Sequence, residues 1–347
     1  MEEGGPGHLL SLRADPAGAG AAAPIAHGGD LDAARRLFPG APEPWLDLST
    51  GINPVPYPCP PLEASLFRRL PSGADLAALR RAAAAAYGPA PDAVVPAPGT
   101  QILIETIPRL MQPSRVAVVG PTYAEHAAAW IRGGHAVATV PDLRQAEDAE
   151  VVVVVNPNNP DGIVHSVHDL FRVAERLSAR GGLLVVDEAF ADLEPIESLG
   201  PRLRPGLVVL RSFGKTYGLA GIRLGFALAE PAFAARLTAA LGPWAVSGPA
   251  LAIGRAALSD ESWRRAAAAA RQADAARLDR MIGRAGGRPV GGTALFRTAD
   301  FPCGISMFRR LGEAGIYVRR FESAPDRLRF GLPADKAEWC RLSRILR

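Results

Sequence analysis

The sequence predicts an α/β fold: a mainly parallel sheet with helices on both faces, followed by a smaller α+β part. Three observations carry this. Strand-like and helix-like segments alternate through the middle of the chain. The strand-like runs are almost continuously apolar, as strands buried on both faces are. After about residue 248 the alternation stops, and a long Ala/Arg helix gives way to short strands. A length of 347 residues suits a two-part enzyme better than one small module.

Taken in order, residues 1–24 carry Glu2, Glu3 and several Gly and Pro without the charged-then-apolar order of a leader, and read as a flexible arm. Residues 25–45 hold no helix–sheet unit of their own and are assigned to the second part of the fold. Ala97–Ile102 (APGTQI) is a turn that opens a helix. Arg115–Gly120 and Glu150–Val155 are strands, with a helix over Tyr123–Arg132 between them. Ser166–Arg180 is helical. Leu183–Val186, Leu207–Leu210 and Leu224–Leu228 are further strands. One helix is expected from about 250 to 285, then strands near 294–298, 315–319 and 327–331 with a helix among them, and a terminal helix over Ala334–Arg341. The resulting division is a large domain over 46–247 and a small domain built from 25–45 together with 248–347.

Composition narrows the function. Net charge is +4 and the pI about 9.2, but no basic run of five residues occurs, so nucleic acid is not expected as a partner and anionic small molecules fit better. Cys59, Cys303 and Cys340 are too few and too far apart for a disulfide framework or a zinc site, which fits a reducing cytoplasm. His165 and His168 read as surface residues before a helix, and no metal is expected. No stretch approaches a membrane span.

Lysine usage is the first chemical signal. Lys and Arg total 39, yet Lys215 and Lys336 are the only lysines. A primary amine condenses with an aldehyde, whereas a guanidinium does not, so a chain this rich in Arg keeps Lys where Arg cannot serve. Lys336 sits in the terminal helix and reads as solvated. Lys215 follows a strand, where open α/β sheets gather their ligands. Ser212, three residues before it, and Arg223, eight after it, suit a phosphate dianion. Asp187 closes an apolar strand, and a carboxylate so placed needs a cationic partner; a protonated pyridine nitrogen is one. Glu188 points the other way and has a structural role. Asn159, in Val155–Gly162 (VNPNNPDG), offers a side-chain donor to a ring oxygen. Gly99, Thr100 and Gln101 open a helix whose first N–H groups suit phosphate, and Tyr123 is placed to stack on a ring or simply to pack.

In the order Gly99-Thr-Gln, Tyr123, Asn159-Pro, Asp187, Ser212-x-x-Lys215 and Arg223, these pieces resemble the fold-type I, class I/II aminotransferases over about residues 25–347. The resemblance implies pyridoxal 5'-phosphate as cofactor, a PLP-dependent transferase-like fold with a seven-stranded, mainly parallel sheet and a small α+β domain, and a homodimer with the site at its interface. It implies Lys215 as the catalytic lysine, with Gly99, Thr100, Gln101, Tyr123, Asn159, Asp187, Ser212 and Arg223 around the cofactor. It places the substrate carboxylate on Arg327, with Arg329 on the same strand face as the alternative.

The openings Ala26–Asp30 (AHGGD) and Leu46–Pro54 (LDLSTGINP) are similar to the threonine-phosphate decarboxylase branch of cobalamin biosynthesis. The implied reaction takes L-threonine O-3-phosphate to (R)-1-amino-2-propanol O-2-phosphate and carbon dioxide. His27, Gly28 and Asn53 would line the substrate end, and Arg319 would meet the substrate phosphate. The rivals are a histidinol-phosphate or related aminotransferase and, from another class, a non-catalytic partner in corrinoid assembly. Two positions depart from the family pattern: Phe190 stands where relatives often carry Tyr, and Leu70 where many present a Tyr to the neighbouring subunit.

Overall fold

The computed structural model describes Ile25 and residues 27–347; the arm expected over 1–24 lies outside them. Among the described residues twelve strands occur: β1 (Leu46–Leu48), β2 (Val94–Ala97), β3 (Arg115–Val119), β4 (Ala136–Val140), β5 (Val151–Val155), β6 (Leu183–Asp187), β7 (Leu207–Ser212), β8 (Gly225–Ala229), β9 (Arg288–Thr293), β10 (Phe296–Asp300), β11 (Ile316–Phe321) and β12 (Ala324–Gly331). The large sheet has seven strands in the order β2-β8-β7-β6-β5-β3-β4, and only β8 runs against its neighbours.

The five valines of β5 show why the strands read as unbroken apolar runs. Val152 and Val154 pack into one core with the helices Gly73–Tyr87, Val167–Ser178 and Gly248–Ser259. Val151 and Val153 pack into the opposite core with Thr100–Arg109, Glu125–Arg132 and Pro231–Leu241. Alternate side chains leave opposite faces of a strand, and both faces are covered. Each such buried side chain contributes about 1.5–3 kcal/mol of transfer free energy. β2 and β4 are absent from the sequence expectation. β2 is four residues long and contains Pro96, and β4 is an edge strand whose side chains alternate between exposed and half-buried, so neither has the apolar run that marks the central strands.

The small domain has a five-stranded sheet ordered β1-β11-β12-β10-β9. It buries Leu46, Leu48, Ile316, Val318, Leu328 and Phe330 against the helices Gly304–Glu313 and Lys336–Ile345 and the far end of Glu261–Arg284. Two boundaries differ from the sequence expectation. Leu46–Leu48 pairs in parallel with Ile316–Val318, so these residues belong to the small sheet rather than to a large domain starting at 46. The helix expected over 250–285 is two helices that meet at Asp260, which ends Gly248–Ser259 and caps Glu261–Arg284 through Trp263 N at 2.9 Å. Gly248–Ser259 packs into the large domain's core, so the small domain resumes after it.

The seam between the domains fixes the loop after β5. Thr298 Oγ1 donates to the carbonyl of Pro160. Gly162 has φ +74°, and a Cβ there would stand 2.0 Å from the carbonyl oxygen of Gly292. Only a residue without Cβ lets the two backbones approach this closely. Gly162→Ala is therefore expected to lower stability by roughly 1–3 kcal/mol in urea denaturation; an unchanged unfolding midpoint contradicts this account of the docking.

Candidate active site

The carboxyl ends of β3, β5, β6 and β7 open into a cavity of about 510 Å³ closed on one side by the small domain. His27, Gly28, Gly99, Thr100, Gln101, Tyr123, Asn159, Asp187, Ser212, Lys215, Arg223, Arg319 and Arg327, all expected at the site, line it together with Arg329, the expected alternative to Arg327. Residues from both ends of the described chain thus share one space.

At one end lies a cradle for an anion. Gly99 precedes the helix Thr100–Arg109 with φ +87°, and a Cβ on it would stand 2.7 Å from Nη2 of Arg223. The guanidinium therefore rests against the helix start, whose N–H groups and dipole favour negative charge. Arg223 itself holds a left-handed backbone, φ 53°, unusual for a residue with a side chain. Ser212 ends β7 at the mouth of the same cradle, and the short turn Phe213–Thr216 carries Lys215 back toward it.

At the other end stands Asp187, buried at the last position of β6. Its Oδ2 lies 2.9 Å from Nε2 of His126 and its Oδ1 accepts from Ala189 N at 3.0 Å. Burial alone pushes this carboxyl up; the hydrogen bond and charge of His126, with Lys215, outweigh it and hold it below the usual carboxylate range. Lys215 shows the opposite balance. Burial pulls its amine down, Asp187 opposes this, and Arg329 and Arg223 add to it. Its Nζ lies 5.3 Å from the centre of the Phe190 ring. Tyr123 OH donates to Gln101 Oε1 at 3.1 Å, and burial, with Glu125 and Asp187, raises this phenol to about 12.

The substrate end differs from the expectation at Asn53 and bears on the choice between Arg327 and Arg329. Arg327 is closed on Asp300, its Nε and Nη2 donating at 2.8 and 3.1 Å, so its guanidinium already grips a carboxylate. Arg329 is the deeper residue: Nη1 donates to Asn159 Oδ1 and Nη2 to the carbonyl of Ser49, both at 2.6 Å, and its buried Nε has no hydrogen-bond partner. Among the described residues Arg329 has no carboxylate partner, and burial, with nearby Arg319, pulls it down to about 10. Asn53 does not line the cavity. Its amide donates to the carbonyl of Thr216 at 2.9 Å, its oxygen accepts from Arg271 at 3.1 Å, and its N–H holds the carbonyl of Lys215 at 2.9 Å. It braces the lysine turn from behind. His27 reaches the cavity rim with Nε2 3.0 Å from Glu125 Oε1, and Gly28 packs so closely on Ser49 that a Cβ would stand 2.3 Å from its carbonyl oxygen.

His126 has no counterpart among the sequence-predicted site residues. Its only signal is its place three residues after Tyr123 in a helical stretch, which puts both toward one face.

The sequence matches the family model for class I and II aminotransferases over residues 62–341. The chain belongs to that family. It is 42% identical to the threonine-phosphate decarboxylase of Pseudomonas aeruginosa over 93% of this chain and 97% of that protein. It is 44% identical to a threonine-phosphate decarboxylase of a Sinorhizobium species over 93% and 98%. A histidinol-phosphate aminotransferase of Mycobacterium tuberculosis is 34% identical over 73% of this chain and 71% of its own. The fold matches that of histidinol-phosphate aminotransferase from Sinorhizobium meliloti with TM-score 0.77 at 21% identity, over 91% of this chain and 93% of that one.

Pyridoxal 5'-phosphate, the cofactor of this family, fits these residues. The cradle that a Cβ at Gly99 would fill suits its phosphate, Asp187 suits its ring nitrogen, and the buried amine of Lys215 suits its aldehyde. Holding Lys215 in this apolar setting costs stability in the cofactor-free chain. Because its folded pKa is depressed, the unfolded chain binds more protons up to the ordinary lysine value of about 10.4. Lys215→Met is expected to raise the melting temperature of cofactor-free protein near pH 7, with the gain shrinking as pH rises toward that value; a gain independent of pH contradicts a buried-amine cost.

Proposed function

We propose that this enzyme decarboxylates L-threonine O-3-phosphate to (R)-1-amino-2-propanol O-2-phosphate, in the formation of the corrinoid side chain, with pyridoxal phosphate bound through Lys215. The observation that carries the substrate reading is Arg329, a buried guanidinium in the cavity with no carboxylate partner among the described residues. A buried cation is costly until an anion answers it. The strong likeness to threonine-phosphate decarboxylases along nearly the whole chain supports the same reading.

When bound, the cofactor supplies an aldehyde for the substrate amine and a ring that accepts electrons released at Cα. The chain's own residues decide which Cα bond breaks. Arg329, steadied by Asn159, holds the substrate carboxylate, and Arg319, half-buried on β11, holds its phosphate. Two fixed anions set the rotation about Cα, which is binding energy used for orientation. With the cofactor bound, Lys215 would supply the proton that takes the place of carbon dioxide at Cα. His126 keeps Asp187 ionised, so that Asp187 would hold the cofactor's ring nitrogen in its protonated form.

The working form is a homodimer in the cytoplasm. Exposed Phe67, Leu70 and Trp244 support a contact with a second copy, and no described helix is long and apolar enough to cross a membrane. The second reading, transamination of histidinol phosphate, draws on the Mycobacterium tuberculosis relative.

Incubation with O-phosphothreonine is expected to release carbon dioxide without 2-oxoglutarate; glutamate formed from 2-oxoglutarate with no carbon dioxide supports the transaminase instead. Arg329→Gln is expected to lower kcat/KM about 100-fold, near 2.7 kcal/mol at about 1.36 kcal/mol per tenfold. Arg327→Gln, which leaves Asp300 paired with Arg288 alone, is expected to cost far less in turnover. Equal losses in the two variants contradict the assignment of the carboxylate to Arg329.

A further inference from the structure

Asp187, Ser212 and Lys215 face the cavity from two segments, the end of β6 and the end of β7 with the turn that follows it, and each has its immediate chain neighbour in one buried cluster behind it. Those neighbours are Glu188, Arg211 and Thr216. Arg211 Nη1 donates to Glu188 Oε2 and, at 3.1 Å, to Ser198 Oγ; its Nη2 donates to Asp192 Oδ1. Thr216 Oγ1 donates to Asp192 Oδ2 at 2.9 Å. Glu188 also accepts from Ser198 Oγ at 2.6 Å and from Leu199 N at 2.9 Å. The Arg211 guanidinium carbon lies 4.6 Å from the centre of the Tyr87 ring. None of Glu188, Asp192, Arg211 and Thr216 lines the cavity.

The alternation of side chains across a strand explains the arrangement. On β7, Arg211 and Ser212 leave opposite faces, as Asp187 and Glu188 do where β6 ends. Buried ion pairs are poor sources of stability, since well-packed apolar residues of equal volume usually do at least as well. What a guanidinium offers that an apolar side chain does not is a planar fork with fixed donor directions. Here one fork holds two carboxylates from the segment after β6, and the second carboxylate passes the constraint to the lysine turn through Thr216.

We propose that Arg211, acting with Glu188, Asp192 and Thr216, is a positioning device that sets the spacing of Lys215, Ser212 and Asp187 around the cofactor. The inference rests on the reading of the cavity as a pyridoxal-phosphate site. The four residues touch neither cofactor nor substrate; they act through their chain neighbours. Small displacements of reacting groups have large effects on rate, so the cluster's contribution falls on cofactor affinity and turnover rather than on substrate capture.

The test compares Thr216→Val, which removes the hydroxyl while keeping the shape, with Thr216→Ser, which restores it. Cofactor affinity is measured by equilibrium titration of cofactor-free protein with pyridoxal phosphate. The pH midpoint of the bound cofactor's visible absorption, kcat and KM for O-phosphothreonine, and the melting of the cofactor-free form are measured beside it. Thr216→Val is expected to melt near wild type, bind the cofactor about tenfold more weakly, shift the absorption midpoint and lose about tenfold in kcat with KM little changed; Thr216→Ser is expected to recover these values. A Thr216→Val protein that melts lower but keeps affinity, midpoint and kcat within about twofold of wild type has only a structural defect and overturns the proposal. Should Thr216→Val fail to fold, Asp192→Asn is measured in the same way, and wild-type affinity and midpoint there overturn it equally. Wild-type protein that takes up no pyridoxal phosphate overturns the underlying cofactor reading as well; uptake with unaffected variants overturns the positioning role alone.

Discussion

A carboxylate almost without access to water governs this molecule's chemistry. Asp187 sits at the end of β6, where burial disfavours its charge, and the surrounding residues are arranged to keep that charge. His126 answers one oxygen and the Ala189 N–H the other. Lys215 shares the cavity and feels the same field with the opposite sign. In a low-dielectric pocket such charges act strongly on one another and on whatever is bound there. The parallel sheet makes this possible because its central strands end deep within the fold, beside the cavity.

The second constraint is the seam between the domains. The cofactor-facing residues come from the large domain, whereas Arg319, Arg327 and Arg329 come from β11 and β12 of the small one. Asn159 joins the two sides by accepting from Arg329, and the loop that carries it is held by backbone approach at Gly162 and by Thr298. Phe190, just past β6, packs edge-on against Phe296 of the small domain, with Lys215 over the first ring and Arg329 over the second. The Arg329 guanidinium and the Lys215 amine thus rest on two rings that touch across the seam.

Much of the site was legible because its chemistry demands particular side chains. Lys215 stands out in a chain where arginine has replaced nearly every other lysine, and Asp187 stands out as an acid closing an apolar strand. Ser212 and Arg223 gained meaning from their spacing around Lys215. The substrate side was less legible. Arg327 and Arg329 share one face of one strand and look equivalent in sequence; what separates them is Asp300, which pairs with Arg327 from the neighbouring strand β10, and Asn159, which reaches Arg329 from another domain. Asn53 sits in a motif near the site but spends its amide on the backbone of the lysine turn. His126 was hidden because a histidine in an amphipathic helix has no pattern of its own.

The sequence by itself determined the fold class, the central strands and most of the residues that meet in the cavity, since apolar periodicity and distinctive functional groups are local properties of the chain. Tertiary structure alone decided which arginine has no carboxylate among the described residues, which sheet Leu46–Leu48 joins, and which residues stand behind the site. Those outcomes depend on partners brought together from distant parts of the chain, as Ser49 and Asn159 are at Arg329, and no spacing along the sequence encodes such a meeting.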